Sequence, residues 1–546
     1  MKKFTIPSFI KDSVNNFSDN TALAFVGEKG ITYTELGIKI KETVALLDIL
    51  GIEKGDKVAL IGENMPNWGI AFLSIVSMGA VAVPILPDFH ENEVYNIIEH
   101  SESKLLFASG KQIERLKNIV AGRIQVIITD NLTVMNSSPS ETSGIPERFS
   151  LEEMDKTSCE DNIATIIYTS GTTGSSKGVM LTHKNLAWMA EKCLTIQHVT
   201  IGHRFLSILP MSHTYENSIG LLLPLYSGAS VYYLKKQMSP SILIEALAKV
   251  KPTHLLTVPL IIEKIFRKQV LPKFNKNRIT RNLFRFPLTR KILNRLVGKK
   301  LMKTFGGELI FFGIGGSKLD GNIEKYLAEA KFPYAIGYGL TETSPLLAGS
   351  SPYKTPWQST GKILQGVELK IDDPDPETGE GEIIARGPNL MQGYYKNPKA
   401  TSEVITTEGW FRTGDLGYID KKGNLYIRGR IKNLIIGTNG ENIYPEEIES
   451  IINSIEYIEE SLVVSQKDKL IAYVNINLQD IENKIIKLNE KVVKVCHDSL
   501  DEFLEEIQTF VNQRVNRYSK IQMVILQSVP FEKTPTNKIK RYLYGG

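Results

Sequence analysis

The strongest constraint on the fold is an alternation of two hydrophobic periods over the first hundred or so residues. Thr32 and Glu35 have the spacing of a capping box. Leu36, Ile40, Val44 and Leu47 then recur at the interval of one helical face. Gly55-Asp56 reads as a turn and Lys57 to Ile61 as a buried strand. A helix is predicted from about Pro66 to Gly79, a strand from Val81 to Ile85, a helix near Glu91 to His100 and a strand from Lys104 to Ala108. Strands separated by helices imply an α/β architecture, here a large N-terminal domain of mostly parallel sheets covered by helices on both faces. No period of a solenoid repeat is present.

Composition narrows the class. With 546 residues, 42% of them hydrophobic, the chain has material for several folding units. A net charge of +5 is too weak to argue for nucleic acid. The three cysteines, Cys159, Cys193 and Cys496, have neither zinc-site nor disulfide-framework spacing, so a reducing cytoplasm is the expected location. The basic start lacks the hydrophobic stretch of a secretory signal. The longest apolar run, Ile70 to Leu86, is broken by Ser74, Ser77, Gly79 and Pro84 and is too short to span a membrane.

Further along, Asn131 to Ser150 is rich in Ser, Thr and Pro and reads as a surface loop. From about 360 to 430 the pattern becomes short strands with glycine turns, a small β subdomain within an N-terminal domain of residues 1–430. A break at 431–433 precedes an α+β C-terminal domain, 434–546, with strands at Leu462 to Val464 and Leu470 to Ile476 and a long helix near Leu500 to Tyr518.

The most specific motif is Tyr168-Thr169-Ser170-Gly171-Thr172-Thr173-Gly174-Ser175-Ser176-Lys177-Gly178. It follows the apolar run Ile163 to Ile167, so it leaves the end of a strand. Small residues let backbone N–H groups approach phosphate oxygens, and Lys177 adds positive charge. A flexible linker would not carry a buried strand before it and a lysine within it. A Walker A loop fails on spacing, because Gly174 and Lys177 are separated by two serines.

This segment resembles the phosphate loop of the adenylate-forming superfamily of acyl-CoA synthetases, adenylation domains and beetle luciferases. The other motifs of that superfamily follow in order. Gly315-Gly316-Ser317 and Gly337-Tyr338-Gly339-Leu340-Thr341-Glu342-Thr343 resemble the two adenine-flanking segments. The resemblance implies Tyr338 packing on adenine beside Gly339, Thr341 on phosphate and Glu342 on Mg²⁺, a hard cation that takes oxygen ligands. Trp410-Phe411-Arg412-Thr413-Gly414-Asp415 resembles the ribose motif, with Asp415 on the ribose hydroxyls and Arg430 reaching ribose and phosphate. Near the C-terminus, Thr534-Pro535-Thr536-Asn537-Lys538 resembles the motif of the adenylation lysine, with Asn537 where glycine is usual. Asparagine tolerates positive φ better than most other non-glycine residues. Lys432 falls at the family's hinge position, followed by Asn433 where Asp is usual.

The resemblance thus implies an acid–thiol ligase that uses ATP and Mg²⁺ to form an acyl-adenylate and then a thioester with coenzyme A, releasing pyrophosphate and AMP. Pro210-Met211-Ser212-His213-Thr214-Tyr215-Glu216 resembles the acyl-pocket border, with His213 on the carboxylate and thiol path. Its Ser-His-x-x-Glu form is nearer to long-chain fatty acyl-CoA synthetases than to amino-acid activators, so a medium- to long-chain fatty acid is the expected substrate. An acyl–acyl-carrier-protein ligase and a non-catalytic acyl- or nucleotide-binding relative remain alternatives. Finally, Lys264 to Lys303 carries fourteen lysines and arginines, no acidic residue and interleaved apolar residues. It reads either as a solvated basic hairpin or as a peripheral contact with an anionic membrane, on the inner face if the chain is cytoplasmic.

Overall fold

The computed structural model describes residues 3–120, 122–136, 149–169, 176–266, 286–437, 441–455, 457–466, 469–476, 496–534 and 538–545. The capping box forms as read: Glu35 N–H donates to the Thr32 hydroxyl at 3.1 Å, and the Glu35 carboxylate accepts Thr32 N–H at 2.7 Å. The helix it starts runs Tyr33–Ile49 and buries Leu36, Ile40, Val44 and Leu47 completely. The strands Lys57–Ile61 and Val81–Ile85 have the predicted bounds. The helix between them ends at Ser77, two residues early, because Gly79 turns the chain at φ +87°.

Two large sheets are found among the described residues. One has eight strands, in edge-to-edge order Gly393–Tyr394, Lys177–Thr182, Ile163–Thr169, Val81–Ile85, Lys57–Ile61, Ser103–Ala108, Gln125–Ile128 and Thr133–Val134. Its centre is parallel and Val81–Ile85 is buried at every position, as a strand covered on both faces must be. The other has thirteen, in the order Glu368–Asp372, Gly381–Arg386, Phe411–Ile419, Asn424–Arg430, Gly361–Ile363, Ala348–Gly349, Tyr334–Tyr338, Phe311–Ile314, His254–Thr257, Arg204–Ser207, Ser230–Tyr233, Thr21–Phe25 and Ile31–Thr32. Pairing is parallel from Thr21–Phe25 as far as Tyr334–Tyr338 and antiparallel from there to the Glu368–Asp372 edge. The β-rich stretch after residue 360 therefore continues a large sheet by hydrogen bonding. Glycine-turned hairpins can add antiparallel strands to a parallel edge without crossover helices.

The chain leaves this sheet through a short 3₁₀ turn, Ile431–Asn433. Beyond it lie a ribbon of Ile435–Ile436 with Asn442–Ile443 and a sheet of Ile458–Gln466, Lys469–Ile476 and Met523–Leu526. The helices Pro445–Asn453 and Cys496–Asn512 pack on that sheet around Ile448, Ile452, Val474, Ile507 and Val511. The strand expected at Leu462 to Val464 is longer in both directions. The helix expected near Leu500 to Tyr518 is shifted toward the N-terminus. Its last residue, Asn512, uses both side-chain groups on the Ile521 backbone, at 2.9 and 2.8 Å, and draws the chain into a return loop. Polar ties join this region to the large sheet. Arg428 pairs with Glu380 at 2.5 Å and Glu447 at 3.1 Å, and Tyr444 donates to Glu380 at 2.8 Å.

Candidate active site

Register builds one end of the candidate site. The strands Phe411–Ile419 and Asn424–Arg430 form an antiparallel hairpin in which Asp415 stands directly opposite Arg430. Arg430 Nε donates to Asp415 Oδ1 at 2.7 Å, and the Tyr338 phenol donates to Asp415 Oδ2 at 2.8 Å. The Thr413 hydroxyl accepts Asp415 N–H and donates to the Ile383 carbonyl, which fixes the backbone beneath the carboxylate. Burial raises the Asp415 pKa, and Arg430 pulls against it. Burial and the neighbouring Asp415 push the Tyr338 phenol well up, so it remains a hydrogen-bond donor. Gly339 has a steric reason: a Cβ there would lie 1.8 Å from the Pro345 carbonyl oxygen.

The 3₁₀ turn Thr341–Thr343 follows. Asn389 holds it by donating to the Thr343 and Leu346 carbonyls, and Met391 N–H donates to the Glu342 carbonyl at 2.9 Å. The Glu342 side chain accepts the Tyr394 hydroxyl on Oε1 at 2.9 Å. Tyr394 is placed there because Gly393–Tyr394 pairs with the strand that begins at Lys177, whose ammonium lies 4.8 Å from the Tyr394 ring centroid. A single protein carboxylate suits Mg²⁺, which keeps waters and phosphate oxygens in most of its coordination positions. No cluster of three or more metal-ligating side chains occurs among the described residues.

Lys177 and Thr169 are register partners at the end of the antiparallel hairpin of Ile163–Thr169 and Lys177–Thr182. Ser170, Gly171, Thr172, Thr173 and Gly174 lie outside the described residues. Gly315, Gly316 and Ser317 follow the strand Phe311–Ile314. Gly315 N–H still donates to the Thr257 carbonyl, and Gly316 turns the chain at φ +88°.

The His213 segment lies after the strand Arg204–Ser207. Asn64 pins the intervening loop, donating to the Ser207 hydroxyl and the Leu209 carbonyl and accepting Met211 N–H at 3.0 Å. His213 Nδ1 accepts Tyr215 N–H at 3.3 Å, which leaves the proton of the neutral ring on Nε2. Burial, reinforced by Lys538, lowers its pKa to about 4, so the ring is neutral at physiological pH. Tyr215 lies against Gly313 and Gly315, where added Cβ atoms would stand 2.9 and 3.3 Å from its side-chain atoms. Glu216 opens a fully buried π-helix, Glu216–Leu222. Burial pushes its carboxyl up to about 8, and Gly220 makes room for it, since a Cβ would meet the carboxyl at 2.6 Å.

Lys538 stands on a small hairpin: Thr534 N–H donates to the Lys538 carbonyl at 2.8 Å, and Lys533 bridges Ile539. Asn537 lies outside the described residues. Lys538 is exposed by surface area, and neighbouring protein removes only part of the water around its ammonium. That desolvation, with Arg430 nearby, lowers its pKa, while Asp415 and Glu342 pull it upward. Lys538, from the far end of the chain, is thus within electrostatic reach of Asp415, Glu342 and Arg430 and also of His213.

Tyr394, Asn64 and Asn389 were not legible as site residues. Gly393-Tyr394-Tyr395 carried a turn glycine and aromatic residues but no spacing that joins them to Glu342, 52 positions earlier.

Residues 10–395 match the family described as AMP-binding enzyme. The chain is 27% identical to 4-coumarate–CoA ligase of Vanilla planifolia, over 99% of this chain and 93% of that protein. It is also 27% identical to human long-chain-fatty-acid–CoA ligase ACSBG2, over 90% of this chain and 80% of that one. The fold is shared with o-succinylbenzoate CoA synthetase (MenE) of Bacillus subtilis in complex with the acyl-adenylate OSB-AMP, at a TM-score of 0.76 and 24% identity over 98% of this chain and 97% of the other. With well over half of its length matched, the chain belongs to the AMP-binding enzyme family, and the chemistry it shares with the family's ligases is ATP-dependent activation of an acid through an acyl-adenylate.

Proposed function

We propose that the chain activates a medium- to long-chain fatty acid with ATP and transfers the acyl group to coenzyme A. What supports this reading is that Lys538 lies within electrostatic reach of Asp415 and Arg430, with Asp415 bonded to both Arg430 and Tyr338, of Glu342, which accepts from Tyr394, and also of His213. The α-phosphate and the incoming carboxylate have to meet at such a point.

In the first step a carboxylate oxygen attacks the α-phosphorus. A P–O bond to the acid forms, and the bond to pyrophosphate breaks. Charge gathers on the phosphoryl oxygens, and a fixed ammonium there lowers the barrier without reorganisation. Lys538 takes that role. Asp415 and Arg430 hold the ribose, Tyr338 and Gly315 to Ser317 flank the adenine, and Thr341 and the loop from Thr169 to Lys177 hold phosphates. Glu342, oriented by Tyr394, would ligate Mg²⁺, which when bound offsets phosphate charge. The neutral His213 can donate from Nε2 to the acid without repelling the Lys538 ammonium. In the second step the thiol attacks the acyl carbonyl and AMP leaves. We place the pivot for exchanging the two steps at Lys432, between an N-terminal domain ending at 430 and a C-terminal domain beginning at 434.

The fatty acid rests on the Ser212-His213-x-x-Glu216 pattern and on the human relative. The Vanilla relative supports a second reading, a hydroxycinnamate-type acid. A pyrophosphate-exchange panel of palmitate, octanoate and 4-coumarate, followed by thioester assays with coenzyme A or acyl carrier protein, separates these readings. We expect palmitate to exchange fastest and coenzyme A to be the acceptor. Faster exchange with 4-coumarate would overturn the fatty-acid assignment, and transfer only to carrier protein would overturn the acceptor.

A further inference from the structure

The basic stretch recognised in the sequence ends in a helix whose outer face is exposed among the described residues. Residues 267–285 lie outside them, and Phe286 to Lys303 are described. Pro287–Thr304 is an 18-residue helix on the crossover between the strands His254–Thr257 and Phe311–Ile314. Its inner face is fixed. Arg290 makes a two-point ion pair with Glu329, at 2.7 and 3.0 Å, and Asn294 donates to the same carboxylate at 2.7 Å. Gly298 packs so closely that a Cβ would stand 2.4 Å from the Ala330 carbonyl oxygen, and Leu301 is buried one turn on. The helix cannot roll without breaking these contacts.

The opposite face therefore stays in solvent, and it is unusually apolar. Leu288, Ile292 and Leu296 recur every four residues and are 79%, 59% and 59% exposed, and Phe286 at the helix entry is 65% exposed. Lys291, Arg295 and Lys299 run alongside this ridge, and Lys300 and Lys303 extend the charge toward the C-terminus. None of these five is ion-paired among the described residues. Isolated exposed aliphatics need no explanation, but a continuous ridge of four beside unneutralised cations does.

We propose that this face docks the protein reversibly on an anionic lipid bilayer, with the ridge in the headgroup layer and the basic residues among the phosphates. Charge complementarity selects the occupant together with the ridge. A nucleic acid or an acidic protein surface would answer the cations but leave the leucines and isoleucine in water. A lipid headgroup layer takes both. No described helix is long and apolar enough to cross a membrane, so attachment through this face is interfacial. The inference goes beyond the catalytic assignment and does not depend on which acid is activated.

Co-sedimentation with phosphatidylcholine vesicles, with and without phosphatidylglycerol, at low and high salt tests it. The full chain should bind the phosphatidylglycerol vesicles at low salt and be released by high salt. The variant Lys291→Gln/Arg295→Gln/Lys299→Gln should bind on the order of a hundredfold more weakly, at roughly fivefold per basic residue. The variant Leu288→Asn/Ile292→Asn/Leu296→Asn should also lose binding. Pyrophosphate exchange by both variants with a water-soluble acid that the full chain activates should match the parent, which excludes misfolding as the cause. No binding to anionic vesicles, undiminished binding by the apolar variant, or equally tight binding of the full chain to a DNA duplex would each overturn the proposal.

Discussion

The proposed nucleotide side and the proposed acid side of this site differ in how fully their polar groups are satisfied. On the nucleotide side Asp415 has a partner on each oxygen, Glu342 is held by Tyr394, and the backbone beneath Asp415 is tied through Thr413. On the acid side Ser212, Thr214, Glu216, Asn217 and Ser218 each carry a buried side-chain polar atom without a hydrogen-bond partner among the described residues. All of them lie close to His213 in the chain, on or next to a π-turn. An unpartnered buried polar atom costs about 1–3 kcal/mol, and π-helices concentrate where function tolerates imperfect packing. The difference teaches where variation is tolerated. On the proposed nucleotide side Asn389 Oδ1 and Ser344 Oγ are likewise unpartnered among the described residues, so the contrast is one of degree, two such residues beside the Thr341–Thr343 turn against five around His213. The acids named for the relatives differ, 4-coumarate for one and long-chain fatty acids for another, and the segment proposed to meet the acid is where the unpartnered polar atoms are more numerous.

Lys538 lies within electrostatic reach of residues on both proposed sides, so removing it should have the largest effect. Lys538→Ala should slow acyl-adenylate formation by about a hundredfold or more, the usual loss for a transition-state donor. Thioester formation from preformed acyl-adenylate should stay close to normal. Equal losses in both half-reactions would show that Lys538 does not serve the first step in particular.

Asp415→Asn confines the damage to the nucleotide side. It weakens two hydrogen bonds to a charged group, each worth about 1.5–3 kcal/mol, so KM for ATP should rise roughly ten- to a hundredfold. KM for the acid should not move, and a parallel rise in both would dissolve the distinction between the two sides. Lys432→Pro asks whether Lys538 is delivered by movement. Proline fixes φ and disfavours the helical conformation that Ile431 has in the 3₁₀ turn. Coenzyme A ester formation should fall on the order of tenfold while pyrophosphate exchange persists; normal ester formation would exclude Lys432 as the pivot.

The smallest effect concerns stability on the acid side. The folded pKa of Glu216 is raised from the ordinary 4.5 to about 8. Its contribution is therefore fully present below pH 4.5 and is lost as pH rises through about 8, because the unfolded chain releases the proton first. Glu216→Gln cannot ionise, so Tm measured from about pH 5 to 9 should fall less steeply than in the parent. Superimposable slopes would mean that Glu216 does not titrate in this window.

What the sequence by itself determined is local. Thr32 and Glu35 announced a helix because a capping box closes within four residues, and Lys57–Ile61 and Val81–Ile85 were read to the residue because burial on both faces leaves an unbroken apolar run. The site residues were named by resemblance of short motifs, which fixes identity and order but not geometry. Tertiary structure alone decided the rest. It set Asp415 across from Arg430 through the register of a hairpin, aimed the Tyr338 hydroxyl at Asp415 from 77 positions away and brought Tyr394 to Glu342. It also brought Lys538 within electrostatic reach of residues more than a hundred positions earlier in the chain, and left the ridge from Leu288 to Leu296 exposed while the other face of its helix was locked. Hydrophobic period and capping are short-range properties of a chain. Which donor meets which acceptor across a fold depends on strand register, packing and closure, and no single segment contains that information.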